Sequence, residues 1–188
     1  MHVRAGVQQP LGEHLGGGGV GIGASVRVLP EFASGIVRLL FAEDGSLFVG
    51  MTSRDWSSLG TKSYGLQRVR WKGVTLFAIR EMRARPDGLD LVFTAPVDAA
   101  TAGSVASYSM KSFTYFYSGA YGSDEIDVKP APITAAAVSA DCLSVRLKVE
   151  GRRELYVHEL HADGLRSATG AKLDHADAYY ALNRIPKD

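Results

Sequence analysis

From residue 25 onward apolar and polar positions alternate with a period of two, the spacing of a β-strand rather than of a helix. In "IVRLLFA", Ile36, Arg38 and Leu40 share one face and Val37, Leu39 and Phe41 the other, which predicts a strand buried on both sides. The next residues, "EDGS", carry Asp44-Gly45, a pair suited to the positive backbone angles of a tight hairpin turn. A return strand "LFVGMT" follows. After the polar loop "SRDWSSLGTKSYG", "LQRVRW" alternates Leu66, Arg68 and Arg70 against Gln67, Val69 and Trp71, so three successive antiparallel strands are expected to form a meander. "KGV" then turns the chain into "TLFAIREMRARP", a further strand candidate.

The second half repeats this pattern more densely. Leu89, Leu91 and Phe93 share a face in "DGLDLVFTAPVD", with Asp87-Gly88 as the preceding turn and Pro96 closing the strand. "VDAATAGSV" is short and small enough for one helical turn only. "YSMKSFTYFYS" reads as an aromatic strand. "ITAAAVS" and "LSVRLKVE" read as a hairpin with Val145, Leu147 and Val149 inward and Arg146, Lys148 and Glu150 outward. "ELYVHELHA" and "AYYALNRI" complete about seven strands in roughly 110 residues, the spacing of an immunoglobulin-like sandwich, here without that family's cysteine pair. The expected fold is all-β: an Ig-like β-sandwich over 74–188, preceded over 31–73 by the meander and over 1–30 by a flexible, glycine-rich leader.

Composition narrows the partners. The 188 residues, 46% of them hydrophobic, suffice for a real core. With 21 Lys plus Arg against 20 Asp plus Glu, there is no basic excess to hold nucleic acid or an anionic membrane. A single cysteine, Cys142, excludes an intramolecular disulfide and any multi-cysteine metal site. The opening "MHVRAGVQQPLGEHLGGGGVGIGA" lacks the apolar run of a secretory signal, and nothing later approaches the roughly 20 apolar residues of a membrane span. Gly16, Gly18 and Gly21 match the spacing of a dinucleotide-binding loop, but that loop needs a strand before it and a helix after it. Here polar residues precede it and "SVRVLP" alternates like a strand after it.

Few residues suggest chemistry. In "HELH", His158 and His161 would point to opposite faces of a strand and so not share a metal ion; His158 is expected to be a half-buried polar residue hydrogen-bonded within the sandwich. His175 lies near Asp174 and Asp177 in a polar turn. Asp124, Glu125 and Asp127 in "GSDEID" read as a solvated acidic turn without the spacing of a calcium loop. No nucleophile elbow is present. Among the aromatics, Phe113, Tyr115 and Tyr117 are expected to form one stripe with Phe116 opposed. One set would be core, and the other, with Tyr121 in the following loop, a platform on which sugar rings stack.

"GSLFVGMTSRDWSSLGTKSYGLQRVRW" resembles the last blade of the propeller in large bacterial glucose/sorbosone dehydrogenase-like proteins. "LDLVFTAPVDAATA", "VSADCLSVRLKVEG" and "GLRSATGAKLDHADAYYALNRIP" resemble the Ig-like domain that follows it, the match running from about Phe32 to Pro186. The resemblance implies export to the periplasm or beyond and, for the full-length family, pyrroloquinoline quinone and sugar oxidation. It places Arg54, Asp55 and Trp56 on the ligand-facing loop: Arg for carboxylates or a quinone, Trp for stacking on a sugar ring. A propeller needs four to eight blades of roughly 40 residues, so this chain holds at most one blade, has no haem-attachment motif and encloses no cofactor itself. Cys142 stands where the family pattern expects a turn glycine. The expected role is a noncatalytic accessory module, with two alternatives: part of a quinone-dependent sugar oxidoreductase completed by a propeller-bearing partner chain, or a carbohydrate-binding module. An orphan meander with apolar residues on both faces is also expected to self-associate or to bury Leu39, Phe41 and Val49.

Overall fold

The computed structural model describes residues 4–7, 24–27, 32–53, 61–119 and 122–187. The strands are β1 (Arg4–Val7), β2 (Ala24–Arg27), β3 (Ile36–Phe41), β4 (Leu47–Thr52), β5 (Tyr64–Val69), β6 (Ile79–Arg85), β7 (Gly88–Phe93), β8 (Ser109–Tyr115), β9 (Glu125–Pro130), β10 (Ile133–Val138), β11 (Ser144–Val149), β12 (Tyr156–His161) and β13 (Asp177–Leu182). One short helix, α1 (Ala99–Ala102), and a single 3-10 turn, Val105–Ser107, join β7 to β8. The strands form three sheets, ordered β1-β2-β13-β12-β8-β9, β10-β11-β7-β6 and β3-β4-β5, and the described pairings are antiparallel. The chain is all-β and the described sheets close into neither a barrel nor a propeller. It divides into two compact units, Met1–Ala5 with Arg27–Thr75, and Gly6–Val26 with Leu76–Asp188.

In the larger unit the six-stranded and four-stranded sheets enclose one core. Leu89, Leu91 and Phe93 from β7 and Val145, Leu147 and Val149 from β11 belong to the same buried cluster as Met110, Leu160, Ala178, Tyr180 and Leu182 from the other sheet. Register explains why: Leu91 sits opposite Val145 and Leu89 opposite Leu147, so the apolar sets of neighbouring strands fall on one face. The opposite face of the four-stranded sheet carries Arg83, Asp90, Arg146 and Lys148, as alternation requires. Gly88 starts β7 because a Cβ there would lie 1.8 Å from the carbonyl oxygen of Leu147. The turn before it is Pro86–Asp87, not Asp87-Gly88. Asp98 caps α1 by accepting from the Thr101 amide at 2.8 Å, and the helix ends within one turn as its composition predicts.

Two segments differ from expectation. "EIDVKP" is not an acidic turn but β9, paired with β8 through Thr114–Ile126 and Tyr115–Glu125, and only Asp124 lies before the strand. It was hidden because Asp124, Glu125 and Asp127 cluster at its start and its alternation rests on two apolar residues, Ile126 and Val128. And β3 is not buried on both sides: Arg38, Leu39, Leu40 and Phe41 are all exposed, because β3 is an edge strand of a sheet only three strands wide. Of the trio Leu39, Phe41 and Val49, only Val49 is buried.

The smaller unit is the β3-β4-β5 meander. Its first turn is held by Asp44, which accepts from the Ser46 amide at 3.1 Å and from the Ser46 hydroxyl at 2.6 Å, while Gly45 takes φ of 76°. Only the glycine of the Asp44-Gly45 pair is left-handed. "TLFAIREMRARP" supplies no fourth strand to this sheet; its strand β6 pairs with β7.

Candidate functional site

Of the residues the sequence singles out for ligand contact, Arg54, Asp55, Trp56 and Tyr121 lie outside the described residues. Tyr115 and Tyr117 are described, and they part company. Phe113 is buried and Tyr115 packs edge-on against it, ring centroids 5.4 Å apart, so this pair does share a face. Tyr117 lies past the end of β8 and is 99% exposed. Phe116, whose amide donates to Ser123 Oγ at 3.1 Å, is also exposed. The three consecutive aromatics 115–117 therefore form an open tip rather than one continuous strand stripe.

The histidines separate as their spacing requires. His158 is fully buried on the core side, opposite Tyr180, and its Nε2 accepts from the Arg153 amide at 3.2 Å. Burial pushes its pKa down to about 4, so it is neutral at physiological pH. His161 projects from the other face, with Nδ1 2.8 Å from Asp177 and Nε2 3.1 Å from Glu159. The two carboxylates engage opposite ring nitrogens and do not converge. Among the described residues no three His, Cys, Asp or Glu side chains are placed to hold one metal ion.

Several charged groups of the larger unit are tied to each other across strands. Lys111 on β8 bridges Glu125 on β9 at 2.7 Å and Glu159 on β12 at 2.9 Å, and hydrogen bonds to Glu125 first and Glu159 second raise its pKa. Asp90 on β7 accepts from Arg85 at 2.5 Å and from Arg146 on β11. Burial alone would raise the Asp90 pKa, but those two arginines together leave it lowered.

The pair Arg152-Arg153, where the chain crosses from β11 to β12, has no counterpart in the sequence reading. Arg152 Nη1 donates to the carbonyls of Arg85 at 2.6 Å and Gly88 at 3.1 Å, and Nη2 to that of Pro86, closing the β6–β7 turn. Arg153 reaches the other sheet. Its Nε and Nη2 donate to Ser112 Oγ at 3.1 and 2.9 Å, Nη2 also to the carbonyls of Ser112 at 2.8 Å and Asp127 at 2.7 Å, and Nη1 to the Asp127 carboxylate at 2.6 Å. The guanidinium stacks 3.7 Å over the ring of Tyr156, whose hydroxyl donates to the same carboxylate at 2.7 Å. Asp127 itself takes φ of 50°, and hydrogen bonds from Tyr156 and then Lys129 help to lower its pKa. These bonds engage every nitrogen of the Arg153 guanidinium in binding β8 to β9, whereas Arg152 Nε is buried without a partner.

The smaller unit presents the reverse. Register places Tyr64 opposite Thr52, Leu66 opposite Gly50, Arg68 opposite Phe48, Arg38 opposite Gly50 and Leu40 opposite Phe48, all on one face. On that face Leu40, Tyr64 and Leu66 are 68%, 77% and 71% exposed. Gly50 presents no side chain between Arg38 and Leu66, and the Arg68 guanidinium lies 5.2 Å from the Phe48 ring centroid while binding Asp44 and Ser46. Met51, Lys62, Ser63 and Tyr64 line a shallow open groove beside it.

No protein-family model matches the chain, and no curated protein matches it. Solved structures that match are of an S-layer protein. The crystal structure of rSbsC(31-844) matches with TM-score 0.45 and 15% identity, covering 61% of this chain and 15% of that one. The N-terminal part of the bacterial S-layer protein SbsC matches with TM-score 0.44 and 14% identity, covering 61% of this chain and 25% of that one. The chain thus spans a quarter or less of the chains it matches. None of these is a glucose/sorbosone dehydrogenase-like protein. The resemblance to that family is corrected accordingly: a propeller-type segment of three strands, "LFVGMT" among them, is shared by any short antiparallel meander, and its motif carried the assignment too far. No helix among the described residues is long and apolar enough to cross a membrane.

Proposed function

We propose that the chain is a noncatalytic structural module whose work is association: a β-sandwich over 74–188, of Ig-like kind, that serves as a rigid body, and a meander over 31–73 that offers a contact surface. The observation that carries this reading is the division of labour among side chains. In the larger unit Arg85, Asp90, Arg146, Arg153 and Asp127 are spent on cross-strand ties, whereas the β3-β4-β5 sheet exposes Leu40, Tyr64 and Leu66 on one face. Contiguous apolar surface of this kind on a globular chain marks an interaction site. Sedimentation of the full chain over a hundredfold concentration range tests it. Reversible association is expected; a chain that stays monomeric throughout and captures no macromolecular partner would refute the reading.

A second reading is favoured by the aromatic tip. Tyr115, Phe116 and Tyr117 are consecutive and exposed, and aromatic faces of this kind stack on sugar rings. Retention on a glycan panel that is lost in Tyr117→Ala would support it, and no retention of the unaltered chain on any glycan would remove it.

A further inference from the structure

We infer that the face of the β3-β4-β5 sheet bearing Leu40, Leu66 and Tyr64 is a two-fold interface with a second copy of this chain, its dyad running parallel to β4 through Gly50. The inference rests on the association proposed above and specifies its surface and partner.

Area comes first. A stable interface buries about 800 Å² per partner, of which slightly more than half, about 450 Å², is apolar. An aromatic side chain carries roughly 150 to 250 Å² and a leucine less, so Leu40, Tyr64 and Leu66 at their observed exposures supply on the order of 350 Å². These three residues approach the apolar share of a standard interface without help from the rest of the molecule.

Charge selects the second copy. The face carries two cations, Arg38 and Arg68, and a two-fold arrangement that set each against itself would be repulsive. With the dyad along β4, β3 of one copy lies over β5 of the other and the rows keep their register. Arg38 then covers Leu66 of the second copy, and Leu40 covers Arg68 of the second copy, so each guanidinium stem lies on an apolar side chain. Gly50 faces Gly50, and the absence of a side chain there lets the two sheets approach. At the hairpin end, Glu43 and Asp44 of one copy meet the Arg70 that follows β5 in the other, and both pairs form by symmetry. Strands of the two sheets would run within about 30° of each other, as in aligned sheet packing.

The test is sedimentation equilibrium of the full chain with four variants. Leu66→Asp is expected to weaken the dimer at least tenfold, and Phe41→Asp, on the opposite face, to leave it within twofold. Glu43→Arg and Arg70→Glu are each expected to weaken it about threefold, and the two together to recover most of that loss, which a folding defect would not do. Circular dichroism of each variant checks that the sheets persist. If Phe41→Asp weakens association while Leu66→Asp does not, or if the double exchange gives no recovery, the proposed dyad is wrong although association stands. If the unaltered chain shows no self-association, the interface is refuted, and the reading under it falls as well only if the chain also captures no macromolecular partner.

Discussion

The two sheets of the larger unit and the lone β3-β4-β5 sheet use the same kind of strand to opposite ends. In the larger unit, alternation is completed by an opposing layer: Leu89, Leu91 and Leu147 are buried on one side, and Arg85, Asp90 and Arg146 neutralise each other on the other. In the meander, Leu39, Leu40 and Phe41 alternate just as regularly, but no layer covers them. Periodicity shows which residues share a face, and coverage depends on how many strands and layers exist to supply it.

That contrast can be broken at several points, beginning with the tightest. Gly88→Ala places a methyl group against the Leu147 carbonyl, a backbone atom that cannot rotate away. The substitution is expected to destabilise the larger unit by about 3 kcal/mol or more in urea titration. A loss below about 1 kcal/mol would mean that β7 and β11 are less closely paired than their register indicates.

Next is pH. His158 is held neutral with a pKa of about 4, against about 6.5 when unfolded, so between these values the unfolded chain binds a proton that the folded chain does not. Stability is then complete above pH 6.5 and falls as pH drops toward 4, by up to about 3 kcal/mol from a shift of this size. His158→Gln should flatten that part of the profile, and an unchanged slope in the variant would show that another group is responsible. Below pH 3.8 the lowered pKa of Asp90 adds a further loss of the same sign, since its folded form favours the carboxylate.

Arg153→Ala removes the fork that joins Ser112 and Asp127, leaving the Asp127 carboxylate only its bonds from Tyr156 and Lys129, for an expected cost of about 2 kcal/mol. Arg153→Lys should recover less than half, because a single ammonium does not reproduce the bidentate geometry. Hydrogen exchange should rise first in β9. Uniform loss of protection across the larger unit would instead make Arg153 a global support.

The smallest expected effect sharpens the contrast from the other side. Leu66→Ser, at a site already in solvent, should change the stability of a dilute, monomeric chain by less than about 0.5 kcal/mol. A loss of 2 kcal/mol would show that Leu66 is covered in solution.

What could be read in advance follows the same division. The strands β7, β11, β12 and β13 were legible because one side of each faces the core, so Val145, Leu147 and Val149 alternate cleanly with Arg146 and Lys148. The strand β9 was misread because the acidic cluster Asp124, Glu125 and Asp127 outweighed an alternation of only two apolar residues, Ile126 and Val128. It holds its place through Arg153 and Lys111, and the bonds of Arg153 to Asp127 span 26 residues of sequence. Arg152-Arg153 gave no local signal for the same reason. Alternation also overran the end of β8, which made Tyr117 seem part of a stripe that stops at Tyr115. Cys142 takes φ of 55°, a left-handed backbone that the residue type does not signal, in a turn where the Ser139 carbonyl accepts from the Cys142 amide at 2.9 Å.

The paired arginines also set an order of synthesis. Their partners at Arg85, Pro86, Gly88, Ser112 and Asp127 all precede them, some by as many as 67 residues. While the chain emerges from the ribosome, β8 and β9 have only each other to pair with until β12 appears, and Leu89, Leu91 and Phe93 wait for most of their opposing layer. A nascent chain halted near residue 150 therefore exposes its future core, and this long-range closure makes the arrival of β12 and β13 the step that ends the exposure of that core to chaperones and proteases.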